Sequence, residues 1–390
     1  MTGLERAGNT VLNGEDPSLF SSRVKSLITG QTQRGGSLEL TIDPEVQQAA
    51  WDALAGRRGS VVALNPSTGA ILAMVSSPSY DPNLLASHED GVAETAYESL
   101  SNDEARPLDN RAIGGNLYPP GSTFKILTVA AGLRTGKINA DSEVDAPDTL
   151  TLPGTNHALS NYASESCGNG RVTLAYAFAE SCNTPFAQLA MDVGDDALAD
   201  EASRWGFGSD LSVPLPVSHS VYPANDGPAQ TAMAGIGQQS VRVTPLMMAM
   251  VAATVANDGE QMAPYIISQT LDADLQVVST TKPTVARTPI DSQTAATLTG
   301  LMQQAVSSGT GTSAQVAGVS VAGKTGTAQT GSDDGGPITW FIGFAGTDIN
   351  NPTVAVAVVL DGGEQIPTTG TGGSVAGPIA ASVIDAAVDQ

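Results

Sequence analysis

Of 390 residues, 41% are hydrophobic and 15% charged, enough for two or three average domains or one large α/β domain with a real core. Forty acids against seventeen bases leave a formal charge of −23. That sign cannot neutralise a phosphate backbone, so no nucleic-acid partner is expected, and the acidity reads as a soluble, self-repelling surface. No run reaches the roughly eighteen apolar residues of a bilayer span, and the N-terminal "MTGLERAGNTVLNGEDPSLF" lacks a signal-peptide pattern, so by itself the chain reads as cytosolic.

Residues 1–36 are polar and glycine-broken, ending in "TGQTQRGG". They read as the tail of something larger, set apart from 37–390. "SLELTIDPEVQQAAWDAL" predicts a strand and then a helix, with Asp43 as N-cap and Pro44 at the first helical position. "GSVVALNPSTGAILAMVSS" predicts a hairpin about Ser67-Thr68-Gly69. From about 80 to 260 the pattern is mainly helical, in "STFKILTVAAGLRTG", "LAYAFAES", "NTPFAQLAMDVG", "DDALADEASRWGFG" and "TPLMMAMVAATVANDG". Strands return in "PYIISQTL", "LQVVSTT", "VSVAGKTGTAQT", "TWFIGFAG" and "TVAVAVVLDGG", interrupted by a helix at 291–308 and closed by an alanine-rich helix at 374–388. Strands at both ends with helices between predict an α+β fold. It would have one antiparallel sheet flanked by terminal helices and an inserted all-helical subdomain.

The two cysteines, Cys167 and Cys182, read as free thiols in a reducing compartment. In an oxidising one, a bond between them would stabilise the fold by roughly 3 kcal/mol. His88, His157 and His219 show no metal-ligand spacing, so no metal and no cofactor is expected.

The chemistry is concentrated in three short segments. In "YPPGSTFKILTVAAGL", Pro119-Pro120-Gly121 ends what precedes, so a helix is predicted from Ser122. A serine there is ordinarily an N-cap. Lys125 changes the reading. At i+3 its amine shares a face with the Ser122 hydroxyl, while the helix N-terminus and apolar neighbours disfavour its charge. A neutral amine beside a hydroxyl is a general base beside a nucleophile. "ESCNTPF" places Ser181-Cys182-Asn183 between two helices. Ser181 is there to pass a proton and Asn183 to bind an amide, against the plainer reading of ordinary turn residues. "VAGKTGTAQ" predicts a strand with Thr325 and Thr327 on one face and Gly326 leaving room for a substrate backbone. The plainer reading is an edge strand guarded by Lys324.

Together, S-x-x-K, S-x-N and K-T-G are the motif set of penicillin-binding proteins and serine β-lactamases. On these motifs, and on "LTIDPEVQQAAWDAL", "NRAIGGNLYPPGSTFK" and "GIGQQSVRVTPLMMA", the chain resembles the transpeptidase domain of class B penicillin-binding proteins. It is most similar to the actinobacterial penicillin-binding protein A group. The resemblance implies a penicillin-binding protein/serine β-lactamase-like fold over 37–390, with 1–36 the remnant of an N-terminal pedestal. It implies Ser122 as the acylated nucleophile, Lys125 as its base, Ser181 as proton relay, Asn183 as amide holder and Lys324 as the source of positive potential. Thr325 and Thr327 would bind the terminal carboxylate, with Gly326 between them as a further substrate-binding position, and the backbone N–H groups of Ser122 and Thr327 would form the oxyanion hole.

The implied reaction is D,D-transpeptidation of D-Ala-D-Ala stem peptides, with β-lactams acylating Ser122. A membrane anchor upstream of Met1 would place the chain on the outer face of the plasma membrane. Glycosyltransferase and cell-division partners, and a Cys167–Cys182 disulfide, would go with that setting. The rivals are a D,D-carboxypeptidase, a serine β-lactamase, and a non-catalytic β-lactam sensor or cell-wall scaffold. Against a β-lactamase stands "NTPFAQLAMD", which offers no acid near Asn183 before Asp192. A Ser-His-Asp hydrolase is disfavoured by the lack of G-x-S-x-G. The loop 329–337, "QTGSDDGGP", is expected to move over the site.

Overall fold

The computed structural model describes residues 3–20, 24, 27–28, 30, 34–87, 89, 91–156, 158–162, 166–168, 170–211, 213–225, 227–329, 336–363 and 365–388. His88, His157 and most of the 329–337 loop therefore lie outside the described residues.

Alternation in "VAVAVVL" sets the centre of the fold. Val354, Val356, Val358 and Leu360 face one hydrophobic core, Ala355, Ala357 and Val359 face another, and all seven are fully buried. A strand apolar on both faces requires cover on both. It belongs to a five-stranded sheet made of β1 (Gly59–Leu64), β2 (Ile71–Ser77), β3 (Ser320–Ala328), β4 (Ile338–Gly346) and β5 (Val354–Leu360). The spatial order is β3-β4-β5-β1-β2, and every neighbouring pair is antiparallel.

Besides Gly3–Ala7, Asn9–Leu12 and Val92–Ser101, the helices that build the layers are α1 (Pro44–Leu54), α2 (Lys125–Arg134), α3 (Leu174–Ala179), α4 (Thr184–Val193), α5 (Asp195–Arg204), α6 (Pro228–Gly235), α7 (Pro245–Ala256), α8 (Ser292–Ser307) and α9 (Gly377–Val388). α1 and α9 pack together over one face of the sheet. α7, buried along all but its last residue, covers the other face and separates the sheet from the helical layer. A helix apolar all round has nowhere else to go.

The predicted hairpin is β1–β2. The predicted cap also forms: Asp43 Oδ1 accepts from Glu45 N at 2.9 Å and Val46 N at 3.2 Å, with Pro44 at the start of α1. The inserted subdomain differs in detail from an all-helical one. It carries two short antiparallel ribbons, Glu143–Ala146 with Gly170–Thr173 and Thr149–Thr151 with Ala158–Ser160. Strands this short leave no period to read in sequence. In the N-terminal stretch, Val11 and Leu19 are buried, and Gly36 N donates to Val11 O at 2.9 Å, tying it to the strand Ser37–Leu40.

β3 is an edge of the sheet, and the turn 118–124 lies against it. Trp340 Nε1 donates to Pro119 O at 3.0 Å, and on the other side Gly121 N donates to Gly237 O at 3.0 Å. Backbone meets backbone here because glycine leaves the room. A Cβ on Gly326 would stand 2.7 Å from Pro120 O and 3.0 Å from Thr123 Cγ2. Gly300 in α8, by contrast, has nothing within 4 Å of such an atom. Alanine at the two positions should therefore act in opposite senses. Gly326→Ala should lower stability by about 1–3 kcal/mol through overpacking, and Gly300→Ala should raise it by about 0.5–1 kcal/mol through helix propensity. Urea unfolding of both variants against wild type checks the signs.

Candidate active site

Ser122 does not cap a helix. It sits inside a 3-10 turn, Gly121–Phe124, and the α-helix begins at Lys125. The departure from the predicted start has a tertiary cause. Gly121 takes φ +54°, a left-handed value, and its ties to Gly237 and β3 hold the chain in a tighter turn than an α-helix allows. The half-buried Ser122 side chain is thereby presented to a cleft.

Lys125 is fully buried, and the structure corrects where its amine goes. Nζ donates to Ser181 O at 2.7 Å, Cys182 O at 2.7 Å and Asn183 Oδ1 at 2.9 Å. Among the described residues, no hydrogen bond joins it to Ser122. Burial, with the nearby Lys324 charge second, holds its pKa well below the ordinary lysine value. The three acceptors match the three protons of an ammonium, which is how the fold tolerates the group at all.

The acceptors come from the turn between α3 and α4. Ser181 lies in the left-handed region at φ +58°, unusual for serine, and its carbonyl and that of Cys182 both reach Lys125. Cys182 points into the core and is bonded to Cys167, with Cα atoms 6.0 Å apart. Asn161, on the same loop as Cys167, accepts from Asn183 N at 2.8 Å, and Ser160 O takes the Asn183 amide at 3.1 Å. Ser181 Oγ accepts from Lys324 Nζ at 2.7 Å. Lys324 is also fully buried, above the Phe178 ring, and burial pushes its pKa down to about 7, with the charge of Glu180 opposing.

Alternation along β3 divides the K-T-G segment. Thr325 and Thr327 both line the cleft. Thr325 Oγ1 shares a 2.6 Å hydrogen bond with Thr310 Oγ1, and Thr327 Oγ1 accepts from Gly372 N at 3.2 Å. Gly326 is corrected: its missing side chain makes room for Pro120 and Thr123, the backing of the serine turn, and not for a ligand.

The cleft measures about 450 Å³ and brings Ser122, Ser181, Asn183, Thr325 and Thr327 together. Sequence reasoning missed much of its lining. Thr310, Thr312 and Ser313 form one wall with Thr371 and Ser374. These last two close a capping box at the start of a helical run from Gly372 through α9, and "TTGTGGSVAG" carried the capping signal. The lining also includes Tyr162 and Glu180, both exposed. Glu180 corrects the expectation that no acid lies near Asn183, because that expectation looked only downstream of the motif. Among the described residues, no group of His, Cys, Asp and Glu is arranged to hold a metal.

Burying Lys324 links stability to pH. The native state titrates near 7 and the unfolded chain near 10.5, so between those values the unfolded chain binds more protons and stability rises with pH. Lys324→Met should flatten that rise and be more stable than wild type at pH 7, by about 2 kcal/mol. Urea midpoints at pH 7 and pH 9.5 measure both effects.

The penicillin binding protein transpeptidase domain family matches residues 59–385, and the penicillin binding protein A dimerisation domain family matches residues 1–38. The peptidoglycan D,D-transpeptidase PbpA of Mycolicibacterium smegmatis is 46% identical over 399 residues, covering 100% of this chain and 80% of that protein. The PbpA of Mycobacterium tuberculosis is 44% identical, covering 99% of this chain and 79% of its own length. The structure of penicillin-binding protein A from M. tuberculosis as a ceftriaxone acyl-enzyme complex superposes with a TM-score of 0.93 at 43% identity, covering 99% of this chain and 87% of that one. With its serine and K-T-G threonines on one cleft and two lysines buried behind it, the chain belongs to the penicillin-binding protein transpeptidase family.

Proposed function

We propose that the protein is a serine-type peptidoglycan D,D-transpeptidase, acylated and inhibited by β-lactams. The observation that carries this reading is the convergence of Ser122 and the S-x-N turn on one hydroxyl-lined cleft, with both buried lysines bonded to that turn from behind. Names borne by relatives at 44–46% identity support the same activity.

Ser122 Oγ attacks the penultimate D-alanine carbonyl, forming an ester and expelling the terminal D-alanine. Lys125 takes the serine proton. To do so it must first be neutral, keeping two of its three acceptors and turning a lone pair toward Ser122; its depressed pKa lowers the cost of that state. Ser181, in contact with Lys324, passes a proton to the leaving amine. Asn183 orients the substrate amide, and Thr325 and Thr327 take the terminal carboxylate. The N–H groups of Ser122 and Thr327 stabilise the oxyanion, an effect worth a few kcal/mol. An amine of a second stem peptide then resolves the ester.

Residues 37–390 form the catalytic domain in this reading, and 1–36 belong to a pedestal. The resemblance further suggests an anchor upstream, a site outside the plasma membrane, and glycosyltransferase and division partners. Among the described residues, no helix is long and apolar enough to cross a membrane. In that oxidising setting the Cys167–Cys182 bond ties the Asn161 loop to the S-x-N turn.

One observation favours a hydrolytic second reading. Glu180 lines the cleft beside Ser181, a carboxylate of the kind a β-lactamase uses to activate water. Labelling with a fluorescent penicillin tests the main proposal. Wild type should carry one covalent adduct and Ser122→Ala none; an adduct on the variant removes Ser122 from the mechanism. Nitrocefin then separates the readings, since a stoichiometric burst indicates a transpeptidase and sustained turnover a β-lactamase.

A further inference from the structure

The cleft lining combines neutral hydroxyls with a single acid. The hydroxyls and the positive end of the helical run beginning at Gly372 suit a carboxylate. Among the described residues, Glu180 is the sole carboxylate lining the cleft. Its side chain is exposed, and among the described residues no hydrogen bond or ion pair engages it. It ends α3 and immediately precedes Ser181, so it is carried on the same rigid turn as the proton relay. Its charge is felt at Lys324 Nζ, which itself touches Ser181 Oγ. None of its neighbours in the cleft is cationic and exposed, so the carboxylate faces the opening with its charge uncompensated.

The transpeptidase reading creates a need there. The acceptor amine must reach the ester where the leaving amine departed, beside the Ser181 relay that Glu180 immediately precedes. At neutral pH a primary amine arrives as an ammonium. We propose that Glu180 is the specificity-determining residue of the acceptor side, holding the incoming ammonium beside the ester and favouring it over water. The inference rests on Ser122 forming the acyl-enzyme.

The step balances without any further reagent. The ammonium loses one proton to solvent at the Glu180 carboxylate, and the nitrogen lone pair attacks the ester carbonyl. The C–N bond forms and the C–O bond to Ser122 breaks. A second proton passes from nitrogen to Ser122 Oγ through Lys125, and the third stays on the new amide. An exposed carboxylate suits cation capture, while a base for water needs a water molecule held against the ester.

The test uses the full chain, a soluble acyl-D-alanyl thioester as donor, and two acceptors alike in shape, D-alanine with its ammonium and D-lactate with a neutral hydroxyl. Product ratios are internal to the acyl-enzyme, so any change in the acylation rate cancels. In Glu180→Gln the ratio of transfer to D-alanine over transfer to D-lactate should fall by about fivefold to tenfold, the weight of one charge-assisted hydrogen bond at a wet site, and Glu180→Asp should restore part of it. An unchanged ratio overturns the inference, as does a variant in which hydrolysis falls while the ratio holds, which would make Glu180 the base for water. If the wild type takes no covalent penicillin, the acyl-enzyme reading fails and the inference with it. An adduct with an unaltered ratio sinks the inference alone.

Discussion

Lys125 and Lys324 are each fully buried, and both reach the turn 181–183. Taking an ammonium out of water costs several kcal/mol unless donors are matched by acceptors. The site meets that cost with backbone carbonyls and hydroxyls, since no acid is in contact. Lys125 has two carbonyls and an amide oxygen, and Lys324 has Ser181 Oγ at 2.7 Å and Thr325 O at 3.1 Å, with Phe186 and Phe178 rings above them. Neutral acceptors are the informative choice. A carboxylate partner would fix each lysine as a cation and raise its pKa; carbonyls satisfy the ammonium while leaving the neutral amine reachable.

That arrangement explains why the turn is built so heavily. Its carbonyls serve Lys125 only if Ser181 holds its left-handed backbone, an expensive state for serine. Asn161 and Ser160 bind Asn183 from one side, the Cys167–Cys182 bond fixes the turn from beneath, and α4 starts at once with Pro185 in its first turn. Beside it the serine turn is clasped by Gly237 and by β3, where glycines let main chains approach. Both turns are thus held by tertiary ties to the rest of the fold.

Much of this was legible in the chain, and the failures share one cause. Short apolar runs ended by glycine gave β4 and β5, and Asp43 with Pro44 gave the start of α1, because those signals are local. The three motifs were legible as residue types in order. What the sequence could not carry was their mutual orientation. S-x-x-K spacing suggested a direct Ser122–Lys125 contact, yet Lys125 reaches residues 181–183, more than fifty positions away. Gly326 looked like room for a ligand and is room for Pro120. Glu180 went unremarked because one acid next to a motif has no period, and its meaning depends on which side of a cleft it faces.

The same distinction separates the charge of the whole molecule from the charge at the site. A surface of −23 repels anions at long range, yet donor peptides and β-lactams both carry carboxylates. Salt screens that repulsion within about 8–10 Å, whereas the buried lysines and the helical run beginning at Gly372 act at contact distance in a medium that screens little. In the proposed reading the cleft takes its anion through hydroxyls and the start of the helical run at Gly372, against an adverse global field. The exposed acid at Glu180 then aligns with that global field, so the two substrates of a transfer are drawn by different parts of one electrostatic surface: the anion only once it is inside, the cation from outside.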